Sequence, residues 1–254
     1  MNGSDDPAAA VSGRWIAEAI RLLEDLRETQ LGVIGSAAEI CADAIGSGGL
    51  VHLFGTGHSR IPVEEMFPRY GSYPGFNPIV ELSMTFHTQI TGANGQRQAM
   101  FIERVEGLAD EILANFDFGS NDAMIIYSSS GSTAVPIEMA MGARGRGLTV
   151  IAVTSIAHSS ATASGHSSGT RLMDHADIVI DLGTPPGDSL VEIDGPETRV
   201  GPGSTISNVA ITNEIKVQTA ALLAARGVLT PVLSAAAVVG AERSNELFRA
   251  AYAE

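Results

Sequence analysis

The sequence predicts an α/β protein, a three-layer sandwich with a central five-stranded parallel sheet and a long N-terminal helix. Short apolar runs rich in β-branched residues each end in turn residues, and helical patterns fill the intervals between them. Strands that alternate with helices form parallel sheets covered on both faces. The length of 254 residues and the 44% hydrophobic content suit one large domain, so we expect a single domain over 1–254. Its expected parts are the N-terminal helix at about 12–46, the sheet core at about 49–182, and a loop with C-terminal helices at about 183–254.

The N-terminal helix is predicted from apolar residues that recur every three or four positions, with charged residues between them. "GSGG" at 46–49 ends this pattern. The single cysteine, Cys41, lies within it, and we expect a buried small side chain there. One cysteine excludes an internal disulfide and a zinc site built on cysteines. The apolar positions of the first half are Trp15, Ile16, Ala19, Leu22, Leu23 and Leu26.

The strands and the later helices follow from the same patterning. Each predicted strand is a short β-branched run followed by turn residues. Residues 183–204 hold most of the Pro and Gly clusters and predict a long surface loop, which in a compact domain is usually functional or mobile. The predicted strands are 50–54, 77–82, 123–127, 148–154 and 176–182, and the later helices are 135–146, 205–226 and 234–252.

The charge of the chain excludes some classes of partner. A formal net charge of −14 disfavours binding to nucleic acid or to an anionic membrane surface, which requires clustered Lys and Arg. The polar, acidic N-terminus lacks a signal-peptide pattern, and no apolar run approaches the roughly 20 residues of a transmembrane helix. We therefore expect a cytoplasmic protein with neither a nucleic-acid nor a membrane partner.

Two loops combine small and hydroxyl residues where a strand leads into a helix: "LFGTGHSR" (53–60) and "IIYSSSGST" (125–133). Ligands of parallel α/β sheets bind at the carboxyl ends of strands. Free N–H groups at a helix start, with hydroxyl donors beside them, favour a phosphate. Neither loop has the complete G-x-G-x-x-G or P-loop pattern of nucleotide binding, nor the G-x-S-x-G of a serine hydrolase.

These two loops resemble those of the SIS (sugar isomerase) domain family. Gly55, Gly57 and Ser59 match the family's glycine-rich first loop, and "SSSGST" matches its S-x-S-G-x-T element without a gap. The resemblance extends over about residues 12–226 and implies the flavodoxin-like SIS fold with a phosphorylated sugar as ligand. "GPGSTISN" (201–208) resembles a later loop that closes on the sugar. The phosphosugar-binding residues that the resemblance implies are Gly57, Ser59, Ser128, Ser129, Ser130, Thr133, Ser204 and Thr205.

Candidate acids and bases come from resemblance to individual members of the family. "VEEMFPRYG" and "VEGLADE" resemble elements of N-acetylmuramic acid 6-phosphate etherase, which place Glu65 and Glu106 on its two catalytic carboxylates. Glu214 lies where isomerase members such as phosphoheptose isomerase carry a catalytic glutamate, although Lys216 stands where a histidine is expected. The chain as a whole resembles uncharacterised bacterial phosphosugar-binding SIS proteins.

The histidines offer candidates for ring opening of a sugar. His58 borders the first loop, and His87 follows the second predicted strand at the same end of the sheet. The remaining candidates, His158, His166 and His175, share no metal-ligand spacing. We expect no metal site and no cofactor.

The leading hypothesis is an aldose–ketose sugar-phosphate isomerase that acts through an enediol(ate), with Glu65 or Glu106 as the base and His58 or His87 assisting ring opening. One alternative is a lyase that eliminates a lactyl ether from an amino-sugar phosphate with the same two glutamates. Another is a sugar-phosphate sensor without catalytic activity. The apolar face of the first helix predicts a homodimer or homotetramer.

Overall fold

The computed structural model describes residues 6–84 and 97–253. Its main sheet has five parallel strands in the order β2-β1-β3-β4-β5, which confirms the predicted fold class. Four strands agree with a predicted apolar run to within two residues at each end, and β2 ends three residues before the end of its predicted run of 77–82. The strands are β1 (Val51–Gly55), β2 (Phe76–Ile79), β3 (Ala123–Tyr127), β4 (Thr149–Thr154) and β5 (Ile178–Asp181).

The two faces of the sheet carry separate apolar cores, because successive side chains of a strand point to opposite faces. In β3, Ile125 and Tyr127 belong to one core, and Met124 and Ile126 belong to the other. All four are fully buried, so the strand is apolar throughout rather than alternating. Helices cover both faces and complete the three layers.

Within the described residues the α-helices are α1 (Pro7–Val11), α2 (Arg14–Thr29), α3 (Leu31–Gly46), α4 (Ile61–Met66), α5 (Arg97–Ile102), α6 (Leu108–Leu113), α7 (Ala134–Gly145), α8 (Ile156–Ala161), α9 (Ser204–Ala225), α10 (Ala236–Val239) and α11 (Ala241–Ala251). Helices α2, α3, α4 and α9 cover the first core, and α6 and α7 cover the second.

The long N-terminal helical segment is present, and Gln30 divides it into α2 and α3. Gln30 has φ −109°, which departs from helical geometry, and its N–H still donates to the Leu26 carbonyl at 2.8 Å. Its side-chain oxygen accepts the backbone N–H of Asp181 in β5 at 3.0 Å. The break therefore joins the helices to one edge of the sheet, while the opposite edge strand, β2, contains Pro78.

Two predicted elements differ from the structure. The predicted loop over 183–204 contains an antiparallel hairpin of β6 (Ser189–Val191) and β7 (Val200–Pro202). Its strands are three residues each, too short for periodicity to be visible among the glycines and prolines. The predicted helix over 234–252 is divided at Gly240, whose φ of 84° is outside the helical region and separates α10 from α11.

The connections after β1 and β3 leave the sheet toward opposite faces. The helix after β1, α4, packs into the first core through Val63 and Met66, and the helix after β3, α7, packs into the second through Val135 and Met139. A crevice opens where adjacent parallel strands send their helices to opposite faces. Over residues 6–84 and 97–253, no helix combines the length and the apolar character needed to cross a membrane.

Candidate functional site

A cavity of about 330 Å³ lies at this crevice, between the loops that follow β1 and β3. Both loops were predicted to hold a phosphorylated ligand, and the structure brings them together because Gly55 and Tyr127 are paired at the ends of the two strands. The residues that line the cavity are Thr56, Gly57, His58, Ser59, Met84, Ala99, Met100, Glu103, Ser128, Ser129, Ser130, His158 and Asp188.

The first loop turns tightly around Gly55 and Gly57. A side chain at Gly55 would place its Cβ 2.1 Å from the carbonyl oxygen of Ser59, so only glycine fits. Gly57 has φ 53°, in the left-handed region that favours glycine, and begins a 3₁₀ turn that ends at Arg60. The turn places the predicted residues Gly57, His58 and Ser59 on the cavity wall.

The second loop is held by its own serines. Ser128 Oγ accepts the N–H of Gly131 at 3.1 Å, and Ser130 Oγ accepts the hydroxyl of Ser132 at 3.0 Å. Gly131 has φ 56°, and a Cβ there would lie 2.8 Å from Thr154 Oγ1. Thr133, also predicted to bind the ligand, is buried at the N-cap of α7 and lies behind the wall rather than on it.

Two polar atoms on the cavity wall lack a partner among the described residues. Ser129 Oγ and His158 Nδ1 are buried, and neither makes a hydrogen bond within that part of the chain. Buried polar groups in proteins are nearly always hydrogen-bonded to protein, water or ligand. A polar ligand that reached these two atoms would satisfy both.

Glu103, directly after α5, lines this cavity with a carboxylate. Its Oε2 accepts the hydroxyl of Thr56 at 2.8 Å, and its backbone carbonyl accepts the N–H of Val135 at 3.0 Å. Burial raises the pKa of Glu103 above its usual range, against the smaller opposing effects of the Thr56 hydrogen bond and of Arg104. A half-buried carboxyl with a raised pKa is suited to proton transfer.

Asp188 connects the cavity to the start of α9. It has φ 61°, unusual for a residue other than glycine, and its carboxylate accepts the N–H and the hydroxyl of Ser204 at 2.7 and 2.5 Å. Ser204, predicted to contact the sugar, is therefore engaged by Asp188. Neither Ser204 nor the half-buried Thr205 is among the lining residues.

Glu65 belongs to α4, contacts α9 and is not among the residues that line the cavity. Its carboxylate accepts hydrogen bonds from Arg69 at 3.1 Å and Asn213 at 3.3 Å, and its carbonyl accepts the ammonium of Lys216 at 2.6 Å. Lys216 is buried, and this burial lowers its pKa by more than the nearby Glu65 raises it, so the pKa is below its ordinary value. The contacts of Glu65 in this chain are those of a charge partner between two helices.

Glu106 and Glu214 also lie away from the cavity lining. Glu106 is exposed and accepts the N–H and hydroxyl of Ser167 at 2.6 and 2.7 Å, and these hydrogen bonds hold its pKa below its usual range. Glu214 lines a separate apolar groove between α2, α3 and α9 and accepts a hydrogen bond from Gln218 at 2.8 Å. His87 lies outside the described residues.

The sequence did not identify three ionisable residues of the cavity wall: Glu103, His158 and Asp188. Glu103 belongs to a run of charges typical of a solvated helix end, and its partner Thr56 is 47 positions away. His158 follows β4, and its place at the carboxyl end of that strand was the available signal. Asp188 lies in the segment predicted as a surface loop, and its place on the cavity wall depends on the hairpin.

Known proteins resemble this chain in sequence and in fold. Residues 14–155 match the model of the SIS domain. A UPF0309 protein of Streptomyces coelicolor is 35% identical over 243 residues, covering 96% of this chain and 95% of that protein. A UPF0309 protein of Halalkalibacterium halodurans is 33% identical over 226 residues, covering 89% and 91%.

Among solved structures, a phosphoheptose isomerase from Francisella tularensis matches with a TM-score of 0.53 and 14% sequence identity, covering 84% of this chain and 97% of that one. At this identity the match shows a shared fold. The SIS model covers more than half of the chain, and the two relatives cover nearly all of it. The chain therefore belongs to the SIS domain family and, within it, to the UPF0309 proteins.

Proposed function

We propose that this protein binds a phosphorylated sugar in the cavity between β1 and β3 and interconverts its aldose and ketose forms. One observation carries the proposal: the half-buried carboxylate of Glu103 lines the same cavity as the hydroxyl-rich loop Ser128–Ser130. The loop supplies a site for a phosphate, and the carboxylate supplies a base. An isomerase of this kind needs both in one enclosed space.

The phosphate is assigned to the second loop because its three consecutive serines, Ser128 to Ser130, line the cavity. α7 begins at Ala134, four residues after Ser130, so its dipole favours an anion near this loop. Ser129 Oγ is a buried hydroxyl without a partner in the described chain, and an O–H donor bound to a phosphate oxygen satisfies both groups. Phosphate binding there holds the sugar carbons away from the loop and toward the rest of the cavity.

Glu103 takes the role of base that the sequence suggested for Glu65 or Glu106. In the reaction it removes the proton from the hydroxyl-bearing carbon beside the carbonyl and gives an enediolate. It then returns that proton to the former carbonyl carbon, while the hydroxyl proton moves from one oxygen to the other. Burial raises the pKa of Glu103, which brings it closer to the working pH of such a base, whereas hydrogen bonds lower the pKa of Glu106. Glu65 lies between two helices and does not line the cavity.

Ring opening of a cyclic sugar needs a group that moves a proton to or from the ring oxygen. His58 lines the cavity beside Gly57, and we assign it this role. His158, whose Nδ1 is buried and unpartnered within the described chain, is placed to bind a sugar hydroxyl. His87 is the alternative to His58 that the sequence offered, and it lies outside the described residues.

The proposal is tested by incubating the pure protein with pentose, hexose, heptose and amino-sugar phosphates in D₂O and following the products by NMR. An isomerase incorporates solvent deuterium at C1 or C2. Release of lactate from an N-acetylmuramic acid phosphate would instead indicate the lyase reaction, and binding without turnover would indicate a sensor.

The role of Glu103 is tested with Glu103→Gln, which keeps the hydrogen bond from Thr56 and removes the base. We expect turnover to fall about 10²- to 10⁴-fold with phosphosugar affinity within a few-fold. Glu64→Gln is the matched control, since Glu64 is exposed and pairs with Arg60 across one helical turn. Full turnover in Glu103→Gln, with loss in Glu65→Gln or Glu106→Gln, would assign the base to one of those residues.

A further inference from the structure

A second cluster of ionisable side chains lies outside the cavity lining. Glu106, which precedes α6, Glu138 of α7 and His166, which follows α8, each offer one ligand atom, and these atoms all lie within 4.8 Å of one another. His166 Nε2 is 3.3 Å from Glu138 Oε1 and 4.0 Å from Glu106 Oε2. Three segments far apart in the chain therefore place an imidazole and two carboxylates together.

We propose that Glu106, Glu138 and His166 bind a divalent transition-metal ion, with Zn²⁺ as the best fit. An imidazole nitrogen with carboxylate oxygens is a donor set that suits Zn²⁺. Bond lengths of about 2.0–2.1 Å around a tetrahedral ion place its ligand atoms roughly 3.3 Å apart. The His166–Glu138 distance already has this value, and the Glu106 side chain, which is 42% exposed, is free to close the remaining gap.

Each proposed ligand is oriented by a further hydrogen bond, as metal ligands in proteins usually are. The Gly107 N–H donates to both carboxylate oxygens of Glu138 at 2.8 and 2.9 Å. Ser167 donates its N–H and its hydroxyl to Glu106 at 2.6 and 2.7 Å. These partners orient both carboxylates toward His166 in the absence of metal.

Metal binding at Nε2 requires His166 to take the tautomer with its proton on Nδ1, and an acceptor for that proton is present. Without metal, Nδ1 accepts the N–H of Ser168 at 3.1 Å and Nε2 donates to Glu138. A metal on Nε2 requires that nitrogen to be deprotonated, so the neutral ring must carry its proton on Nδ1. The hydroxyl of Ser168, 2.7 Å from Nδ1, is the acceptor for that proton.

Three protein ligands leave the fourth position of a tetrahedral ion to water. None of the three lines the cavity, so we assign the ion a role in holding the second loop rather than in the reaction. The N–H of Gly165, beside His166, donates to the carbonyl of Ser132 at 2.7 Å. Glu138 belongs to α7, the helix that the phosphate loop leads into. An ion that joins Glu106, Glu138 and His166 therefore stabilises the second loop through Gly165 and α7.

The test uses the full chain without an affinity tag, stripped of metal and titrated with Zn²⁺ by calorimetry. We expect one ion per chain, a higher melting temperature in Zn²⁺, and visible absorption typical of a four-coordinate site when Co²⁺ replaces it. His166→Ala should abolish all three. Glu111→Gln is the control, since Glu111 is an exposed carboxylate of α6 and lies outside the cluster.

Glu106→Gln covers the case in which His166→Ala fails to fold. It replaces an exposed ligand, keeps an oxygen to accept from Ser167, and should weaken Zn²⁺ binding at least about tenfold. Absence of Zn²⁺ binding to the stripped protein would overturn the proposal and leave the cluster as a set of hydrogen bonds. Equal Zn²⁺ affinity in the wild type and Glu106→Gln would overturn it as well.

Discussion

Two adjacent serines of the second loop have the same hydroxyl group but different hydrogen-bonding roles. Ser128 Oγ accepts the N–H of Gly131 and so fixes the shape of the loop, whereas Ser129 Oγ is buried without a partner in the described chain. A hydroxyl that already holds the loop contributes to the stability of the free protein. One without a partner contributes only when a ligand arrives.

This difference predicts that alanine substitutions at the two serines affect different quantities, ligand binding at Ser129 and stability at Ser128. Ser129→Ala should weaken phosphosugar binding about ten- to a hundredfold, because one hydrogen bond to a charged group is worth about 1.5–3 kcal/mol, with little change in the unfolding free energy of the free protein. Ser128→Ala should lower that free energy by about 1 kcal/mol. Calorimetric titration and urea unfolding measure the two quantities, and the reverse pattern would contradict the assignment of the loop.

Glu103 predicts a pH dependence of stability. Burial raises its pKa in the folded protein, so its contribution to stability is present in full below its unfolded pKa, about 4.3, and is lost as pH rises through the folded value. Glu103→Gln stays neutral and lacks this loss. The melting temperature of the variant should therefore gain on that of the wild type as pH rises from about 4 to 7, and a constant difference would contradict it.

The sequence predicts that a residue belongs to the site when its neighbours along the chain show which strand and helix it lies between. Ser128, Ser129 and Ser130 follow a strand and precede a helix, so their place on the cavity wall follows from local order. Glu103 contacts Thr56, and nothing near it in the chain signals that contact. Likewise, no ligand spacing marks His166, because Glu106 and Glu138 come from other elements.

The elements are joined at the end of the sheet opposite the cavity by a buried network on Asp122. Its carboxylate accepts the ring N–H of His52 at 2.9 Å and the backbone N–H groups of Leu50 and Gly119 at 2.8 and 2.7 Å. Asn77 of β2 donates to the other ring nitrogen of His52 at 3.0 Å. The network ties β1 and β2 to the turn that leads into β3.

Asp122→Asn should lower the unfolding free energy at neutral pH by about 2 kcal/mol, since it removes a charged acceptor from this network. Burial acts to raise the pKa of Asp122, but the hydrogen bonds from His52, Leu50 and Gly119 outweigh it and the pKa is lowered. The stabilisation is therefore present above the unfolded pKa, about 3.9, and is lost as pH falls through the folded value.

Urea unfolding at pH 7 and at low pH measures this effect, and the difference from wild type should shrink in acid. Asp117→Asn is the control, because Asp117 is exposed and lies in the same connection. Equal stability of the two variants at pH 7 would contradict the role of the network.

The sequence predicts the bounds of an element correctly where its apolar pattern is long and uninterrupted. The prediction is wrong where the pattern is short or where a break does not disturb it. The strand over 123–127 has the predicted bounds, because five consecutive apolar residues lie between polar turns. The division at Gln30 does not interrupt the apolar spacing on either side, so the pattern predicts one helix. The hairpin of β6 and β7 depends on pairing between segments nine residues apart, which short strands do not reveal.

The whole molecule leaves apolar surface on its N-terminal helices. Ile16 and Ile20 of α2 are 61% and 52% exposed, and an apolar groove runs between α2, α3 and α9. We expect a homodimer or homotetramer that covers this surface. Light scattering at micromolar concentration should give a mass of two or four chains, and a stable species of 26.4 kDa would contradict it.

The two edges of the sheet limit how copies of this protein can meet. An edge strand with free backbone groups invites another strand to pair with it, and such pairing leads to open-ended aggregates. At β5 the N–H of Asp181 is already bonded to the side chain of Gln30, and β2 contains Pro78, which has no N–H to offer. Each edge strand thus has one position that cannot donate a hydrogen bond to an added strand, Asp181 in β5 and Pro78 in β2. We therefore expect copies of this protein to meet through helical surfaces, in a closed and finite assembly.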